Sequence, residues 1–377
     1  MQILYENQLI PKSLENDIKE HKELQPFFEY SFSGMKPKNY CGFLTIGGEN
    51  YFIAPKITTD ETKNLNTFLY MLIYAYNIDL SNIELSNFET GAHTIFELFI
   101  QFFSNTLRDE CKKGLFKEYV TYNDTLKVLR GKYVIEKNFT NFYHQNIGCE
   151  FDEFSADNTL NQFFLYALKV FKRYSRYRSL YQCEMLFDEV CYRHIDITKQ
   201  PIVFDRTNSR FYKSYEMAQI LLQKLTPLTG KAQQTSFAFL FDMGEVFEKF
   251  VGRLYKEVDR SVKLQQQRTF GSLQLKPDIV RKDQIIDTKY KVLNAKKELQ
   301  TSDKYQMFAY GKNFNIKQTL LLYPKHMVDV EEDMELGRGA GSVYLKLKSL
   351  DLQGSEDYTS YIESMKYRIG VINARKN

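Results

Sequence analysis

Two aspartates and a lysine, Asp278, Asp287 and Lys289, are the residues of this chain best spaced to do chemistry. They lie in two apolar-rich segments, residues 273–280 and 284–290, which flank the charged turn Arg281, Lys282 and Asp283. That pattern predicts a β-hairpin. With a loop over residues 281–284, Val280 pairs with Ile285 and Asp278 faces Asp287, about 5 Å away across the strands. Lys289 stands two residues past Asp287 and points to the same face. Facing carboxylates repel, so a sheet gains nothing from them unless a cation lies between. Hard oxygen donors suit Mg²⁺, with Mn²⁺ as the second candidate. An adjacent ammonium can orient an attacking water or offset charge that builds in a transition state. Two carboxylates, a lysine and a metal form a minimal phosphodiester-cleaving site. The plain alternative is an exposed hairpin with surface charges; the Pro277-Asp278 pair and the apolar run before Asp287 argue against it.

The elements around the hairpin must supply the rest. Leu240, Met243, Phe247, Phe250, Val251 and Leu254 recur at helical spacing and predict an amphipathic helix over residues 237–255. Glu245 and Glu248 are neighbours on that helix, and a glutamate there either completes the metal site or sits on a solvated edge. Downstream, Ser302 is a suitable N-cap for a helix that projects Gln306 and Tyr310 from one face. These two either position a phosphate or the lysine, or cap a packed surface. Residues 318–323 read as a buried strand. Helix, hairpin, helix and strand make an α/β unit with a central mixed sheet.

At 377 residues and 43% hydrophobic content, the chain can build two domains with real cores. A net charge of only +4 means that any nucleic-acid affinity must come from local patches. No apolar run is long enough to span a membrane, and no secretory signal is visible, so a cytoplasmic protein is expected. Five scattered cysteines, none in a C-x-x-C pair, argue against a zinc site or a disulfide framework.

Elsewhere the pattern predicts helices near residues 13–24, 64–76, 94–115, 159–177, 180–192, 212–225 and 357–369. A hairpin is expected over residues 41–46 and 51–56, and an extended or loop-like stretch over 119–134. Lys172, Arg173, Arg176 and Arg178 alternate with aromatics at a helix end. Such a cluster either contacts DNA phosphates and stacks on bases or complements the helix dipole.

Pro277-Asp278, Asp287-Thr288-Lys289 and Gln306-x-x-x-Tyr310, in that order, resemble the PD-(D/E)xK nuclease superfamily in its Q-x-x-x-Y branch. Phe239 to Met243 with Val246 to Glu248, Leu129 to Lys132, Cys149 to Phe154 with Thr159 to Asn161, and Ile53 to Lys56 resemble the McrC family. That likeness runs from about Tyr40 to Pro324.

The resemblance implies an α+β multi-domain protein. A motor-interacting, mixed β/helical domain would occupy residues 1–158, a helical connecting region 159–230 and a PD-(D/E)xK endonuclease domain 231–377. It implies the nuclease subunit of a modification-dependent restriction complex, acting on double-stranded DNA with an McrB-like AAA+ GTPase hexamer. Asp278, Asp287, the Thr288 carbonyl and Glu248, now preferred to Glu245, would hold Mg²⁺; Lys289 would act on the water or the phosphate, and Gln306 and Tyr310 would steady them. Loops among residues 85–150 would meet the motor, with Arg108, Lys112, Lys113, Arg130 and Lys132 as candidate contacts. The chain lacks a Walker A stretch, so the motor is another protein. Two further readings stay open: a nuclease that serves another helicase or acts alone, and a non-enzymatic activator of a ring NTPase.

Overall fold

Short apolar strands and amphipathic helices build two units in the computed structural model. It describes residues 2–55, 57, 61–78, 93–140, 146–195, 202–228, 236–291, 299–325, 329–354 and 357–373. One unit comprises Met1–Ile95 and Thr226–Asn377, the other Phe96–Leu225. The expected division at residues 158 and 230 therefore differs from the compact units. Lys56 and residues 85–92 and 141–145, which carried expectations, lie outside the described residues.

The first unit opens with β1 (Gln2–Tyr5), α1 (Lys12–Glu20) and a ribbon of β2 (Phe28–Ser31) and β3 (Gly34–Pro37). β4 (Tyr40–Ile46) and β5 (Glu49–Ala54) follow as the expected hairpin. Its loop is Gly47-Gly48, both at positive φ, which the right-handed twist of the flanking strands demands of a two-residue turn. α2 (Glu61–Ala75) closes this stretch.

In the second unit, α3 (His93–Cys111) enters from the first. β6 (Glu118–Leu126), β7 (Lys132–Tyr133) and β8 (Ile147–Ser155) form an antiparallel sheet in the order β6-β8-β7, with α4 (Ile135–Thr140) between its last two strands. Residues 119–134, expected to be extended or loop-like, thus hold most of β6 and all of β7. α5 (Thr159–Phe171) buries Leu160, Phe163, Phe164, Ala167, Leu168 and Phe171, and Asn158 caps it by accepting from the Asn161 amide at 3.1 Å. α6 (Arg178–Glu184) and α7 (Tyr212–Lys224) complete the unit. The expected helices over 159–177 and 180–192 are both shorter than the sequence pattern suggests.

The chain then returns to the first unit through β9 (Leu225–Pro227) and β10 (Phe237–Asp242). The latter corrects the expected helix over 237–255. Phe237, Ala238, Phe239, Leu240 and Phe241 are all buried because this strand lies inside a five-stranded sheet, order β1-β5-β4-β10-β9. A strand buried on both faces shows a continuous apolar run that cannot be told from helix by periodicity. The helix proper, α8 (Met243–Val258), starts where Asp242 accepts from the amides of Gly244 at 2.7 Å and Glu245 at 3.4 Å.

Beyond α8 come β11 (Lys263–Leu264), β12 (Arg268–Phe270), β13 (Leu273–Leu275), β14 (Ile279–Val280), β15 (Gln284–Thr288), α9 (Thr301–Phe314), β16 (Gln318–Pro324), β17 (Glu331–Leu336), β18 (Val343–Leu350) and α10 (Tyr358–Asn373). Six of these strands form a mixed sheet, order β11-β14-β15-β16-β18-β17, in which β15, β16 and β18 are parallel. Ile285, Met307, Tyr310, Leu321, Tyr323, Leu345 and Leu347 pack into the core between this sheet and α9. A Cβ on Gly311 would lie 2.6 Å from Val343 Cγ1, so glycine lets α9 settle onto β18. β18 was not among the expected elements, although its buried residues Val343, Leu345 and Leu347 alternate with Tyr344, Lys346 and Lys348 in the period-two pattern of a half-buried strand.

Candidate active site

Proline breaks the first strand of the expected hairpin. Residues 273–275 pair with β12, and only Ile279 and Val280 join β15. Pro277 lies between and has no amide to give to a ladder. The register is nevertheless the expected one, Val280 opposite Ile285. Asp278 therefore sits in the gap just before β14, its side chain free of the pleat. Its Oδ2 accepts from the Thr288 amide and from the Thr288 hydroxyl, both at 2.8 Å. These two bonds fix one carboxylate oxygen and leave the other for the site.

Asp287 is near the end of β15, on the same pleat face as Ile285, and is 2% exposed. The Lys289 ammonium lies 2.7 Å from its Oδ2, an ion pair in which that oxygen accepts no well-directed hydrogen bond. α9 reaches in from the same side. Gln306 Oε1 accepts from Lys289 Nζ at 3.1 Å, and its amide nitrogen donates to Asp287 Oδ1 at 3.4 Å and to the Tyr310 hydroxyl at 2.8 Å. Tyr310 in turn donates to the Lys276 carbonyl at 3.2 Å. The helix begins after Gln300 rather than at Ser302, yet its phase delivers both residues as expected.

Glu248 and Glu245 part company on α8. Glu245 pairs with Lys249 at 2.8 Å and accepts from the Tyr76 hydroxyl at 3.5 Å. Glu248 faces the aspartates, and the link is a residue that the sequence reading missed. Gln265 donates its amide to Glu248 Oε1 and, at 3.3 Å, to Asp278 Oδ1, while its backbone amide donates to the Asp278 carbonyl at 2.8 Å. It holds φ at 51°, the left-handed region, which the first of three consecutive glutamines, Gln265 to Gln267, does not advertise. The Thr288 hydroxyl was likewise overlooked.

The electrostatics follow from this crowding. Burial, then the negative charges of Asp278 and Asp287, raises Glu248 to about 7. Burial and Asp278 raise Asp287 to about 7 as well, against the lowering by Lys289. Burial acts to lower Lys289, but Asp287 outweighs it and the net shift is upward. Glu248 and Asp287, two carboxylates that hold protons near neutrality, together with the facing Asp278 carboxylate fit a hard divalent cation in donor type. Among the described residues, no group of three or more acidic, histidine or cysteine side chains is drawn tightly enough to hold an ion in this arrangement. An ion would enter by displacing the Gln265 amide and the protons.

The other expected contacts lie in the second unit. Lys172 pairs with Glu184 and lies 4.3 Å from the Tyr181 ring centre, whereas Arg173, Arg176 and Arg178 are exposed. Arg108 donates to Gln182 at 3.2 Å. Lys112 pairs with Asp109, Lys113 with Glu110, Arg130 with Glu153 and Lys132 with Glu150. Such exposed pairs are weak and leave the cations open to exchange.

The family profile described as "McrBC 5-methylcytosine restriction system component" matches residues 35–324. The chain belongs to the McrBC family. No curated protein matches it. Among solved structures, this McrBC-family chain is similar to one from a half-complex of a tetradecameric assembly of Thermococcus gammatolerans McrB AAA+ hexamers with bound McrC. The TM-score is 0.59 at 19% identity, covering 98% of this chain and 99% of that one. A chain of the Thermococcus gammatolerans McrBC complex also matches, with TM-score 0.48, 21% identity, and coverage of 68% and 87%. Among the described residues of the McrBC-family chain, no helix is long and apolar enough to cross a membrane.

Proposed function

We propose that this chain is the DNA-cutting subunit of an McrBC-type restriction machine, a Mg²⁺-dependent endonuclease of the PD-(D/E)xK type that works with an McrB-like AAA+ GTPase hexamer. The observation that carries the reading is the convergence of Asp278, Asp287, Lys289, Glu248, Gln306 and Tyr310 from four separate elements. A surface hairpin would not assemble such a network.

Asp278, Asp287 and Glu248 would hold the metal, with the Thr288 carbonyl as a fourth oxygen. When bound, the ion would acidify a water and draw charge from the scissile phosphate. Thr288 fixes Asp278 through two bonds and so aims its remaining oxygen at the site. Lys289 keeps its proton, since Asp287 holds it above the ordinary lysine range. It therefore acts as an ammonium that orients the water and offsets phosphate charge, rather than as a base. Gln306 and Tyr310 fix the lysine's direction from α9.

On this reading residues 231–377 carry the cutting site and residues 1–158 the surface that meets and stimulates the motor, with residues 159–230 connecting them. Arg108, Lys112, Lys113, Arg130 and Lys132 remain the candidate motor contacts, and Lys172, Arg173, Arg176 and Arg178 the candidate DNA contacts. Deleting residues 1–158 is a poor test, because it would strip β4 and β5 from β10. The decisive test is Asp287→Ala in the full chain, assayed with the motor, Mg²⁺ and methylated duplex. Cleavage should vanish while motor binding and GTPase stimulation persist; cutting by the variant would refute the assignment.

A further inference from the structure

A basic cleft of about 510 Å³ opens at the turn end of the β14–β15 hairpin, one short strand away from Asp278 and Asp287, between that turn, the strand β11 and the C-terminal end of α9. Lys263, Arg268, Arg281 and Lys282 line it together with Val280 and Phe314, and no carboxylate does. The four cations are not equivalent. Arg281 is built in: its guanidinium lies 3.7 Å from Asp259 and donates to Gln284 at 3.4 Å and to Asn373 at 3.3 Å. Arg268 lies 5.2 Å from the Phe314 ring centre. Lys263 and Lys282 are exposed and make no ion pair among the described residues. Asp259 pairs with Arg281, and the exposed Asp283 follows Lys282 in the turn.

The cleft is tied to Asp278 through the backbone. Lys263 is the ladder partner of Val280, two residues after Asp278, and the Gln265 amide continues that pairing onto the Asp278 carbonyl. Lys282 is four residues past Asp278, so at about 3.3 Å per residue its backbone lies within about 13 Å. Phosphates along one DNA strand advance about 3.4 Å of helix axis each. A phosphate in the cleft would then be about two to four nucleotides from one held at Asp278.

We infer that this cleft binds the phosphodiester backbone of duplex DNA next to the cut, with Lys263 and Lys282 as the phosphate-neutralising pair and Arg281 as the fixed wall behind them. The inference rests on the nuclease reading for the identity of the polyanion, but its test does not need cleavage. A labelled duplex of 30 base pairs is titrated with the full chain in EDTA, by anisotropy, over a range of salt concentrations. The chain carrying both Lys263→Ala and Lys282→Ala should bind at least about tenfold more weakly near 0.1 M salt, with the slope of log K on log salt reduced in magnitude by about 1.8. Lys282→Glu alone, on an exposed turn, should weaken binding as well and guards against misfolding of the double variant. Unchanged affinity and slope would overturn the inference, as would no duplex binding by the unaltered chain at low salt. Loss of binding to a polyglutamate competitor with duplex binding intact would overturn it too, in favour of an acidic protein segment. A chain that never cuts, yet loses duplex affinity with these substitutions, would keep the cleft and sink the nuclease reading.

Discussion

The hydroxyl of Tyr290 donates to Glu6 Oε1 at 2.6 Å, across 284 residues of chain. Tyr290 directly follows Lys289, and Asn39 donates to its carbonyl at 3.3 Å. The N-terminal sheet thus grips the backbone next to the site lysine. Tyr290→Phe removes a hydrogen bond to a buried carboxylate and should cost about 1.5–3 kcal/mol. Urea unfolding would measure this, and a stability loss under about 0.5 kcal/mol would show that the contact is idle.

Gln306 accepts from Lys289 Nζ at 3.1 Å, which on the proposed reading makes it a residue that positions the lysine. Gln306→Ala should lower the cleavage rate about 10–100-fold, the usual range for a group that orients another. Lys289→Ala should abolish cleavage. Gln306→Glu, which keeps an acceptor for the ammonium, should recover part of the loss; single-turnover cleavage of methylated duplex separates the three.

The raised carboxylates make a pH signature. Glu248 and Asp287 sit at about 7, above the 4.5 and 3.8 of free side chains. The folded state therefore binds protons more tightly than the unfolded one. The stability these groups contribute is full below about pH 4 and lost as pH rises through 7. Metal-free protein should lose stability between about pH 4 and 7 relative to Asp287→Asn, and its Mn²⁺ affinity should rise over the same window as protons leave. Urea midpoints and calorimetry across that range check both; a pH-independent difference between the two proteins would contradict the assignment.

Gln265 bridges Glu248 and Asp278 with a neutral donor where a cation would offset the same repulsion. Gln265→Asn tolerates the left-handed backbone but is too short to bridge. Metal-free stability should drop by about 1 kcal/mol, and Mn²⁺ should bind several-fold more tightly because no amide has to be displaced. Calorimetric titration with Mn²⁺ reads this directly, and weaker binding would instead make the glutamine a ligand.

Gly311→Ala tests how closely α9 must approach β18. The added methyl meets Val343, a branched side chain with little room to yield, and should destabilise by about 1–3 kcal/mol. Thermal unfolding would register it.

The sequence by itself determined the local facts: the register of Val280 against Ile285, the order of Asp278, Asp287 and Lys289, and the phase that puts Gln306 and Tyr310 on one helix face. Each depends on spacing within one or two elements, where side-chain period and turn length leave few choices. Tertiary structure decided what spacing cannot encode. Phe237 to Phe241 became a strand because β4 and β9 offered partners on both edges, and an all-apolar run is silent between strand and helix. Glu248 was separated from Glu245 by which side of α8 meets the sheet. Gln265 joined the site through a left-handed turn, and Tyr290 found Glu6 only because the N-terminal sheet incorporates β10. Contacts between distant segments depend on the packed whole, so no window of sequence carries them.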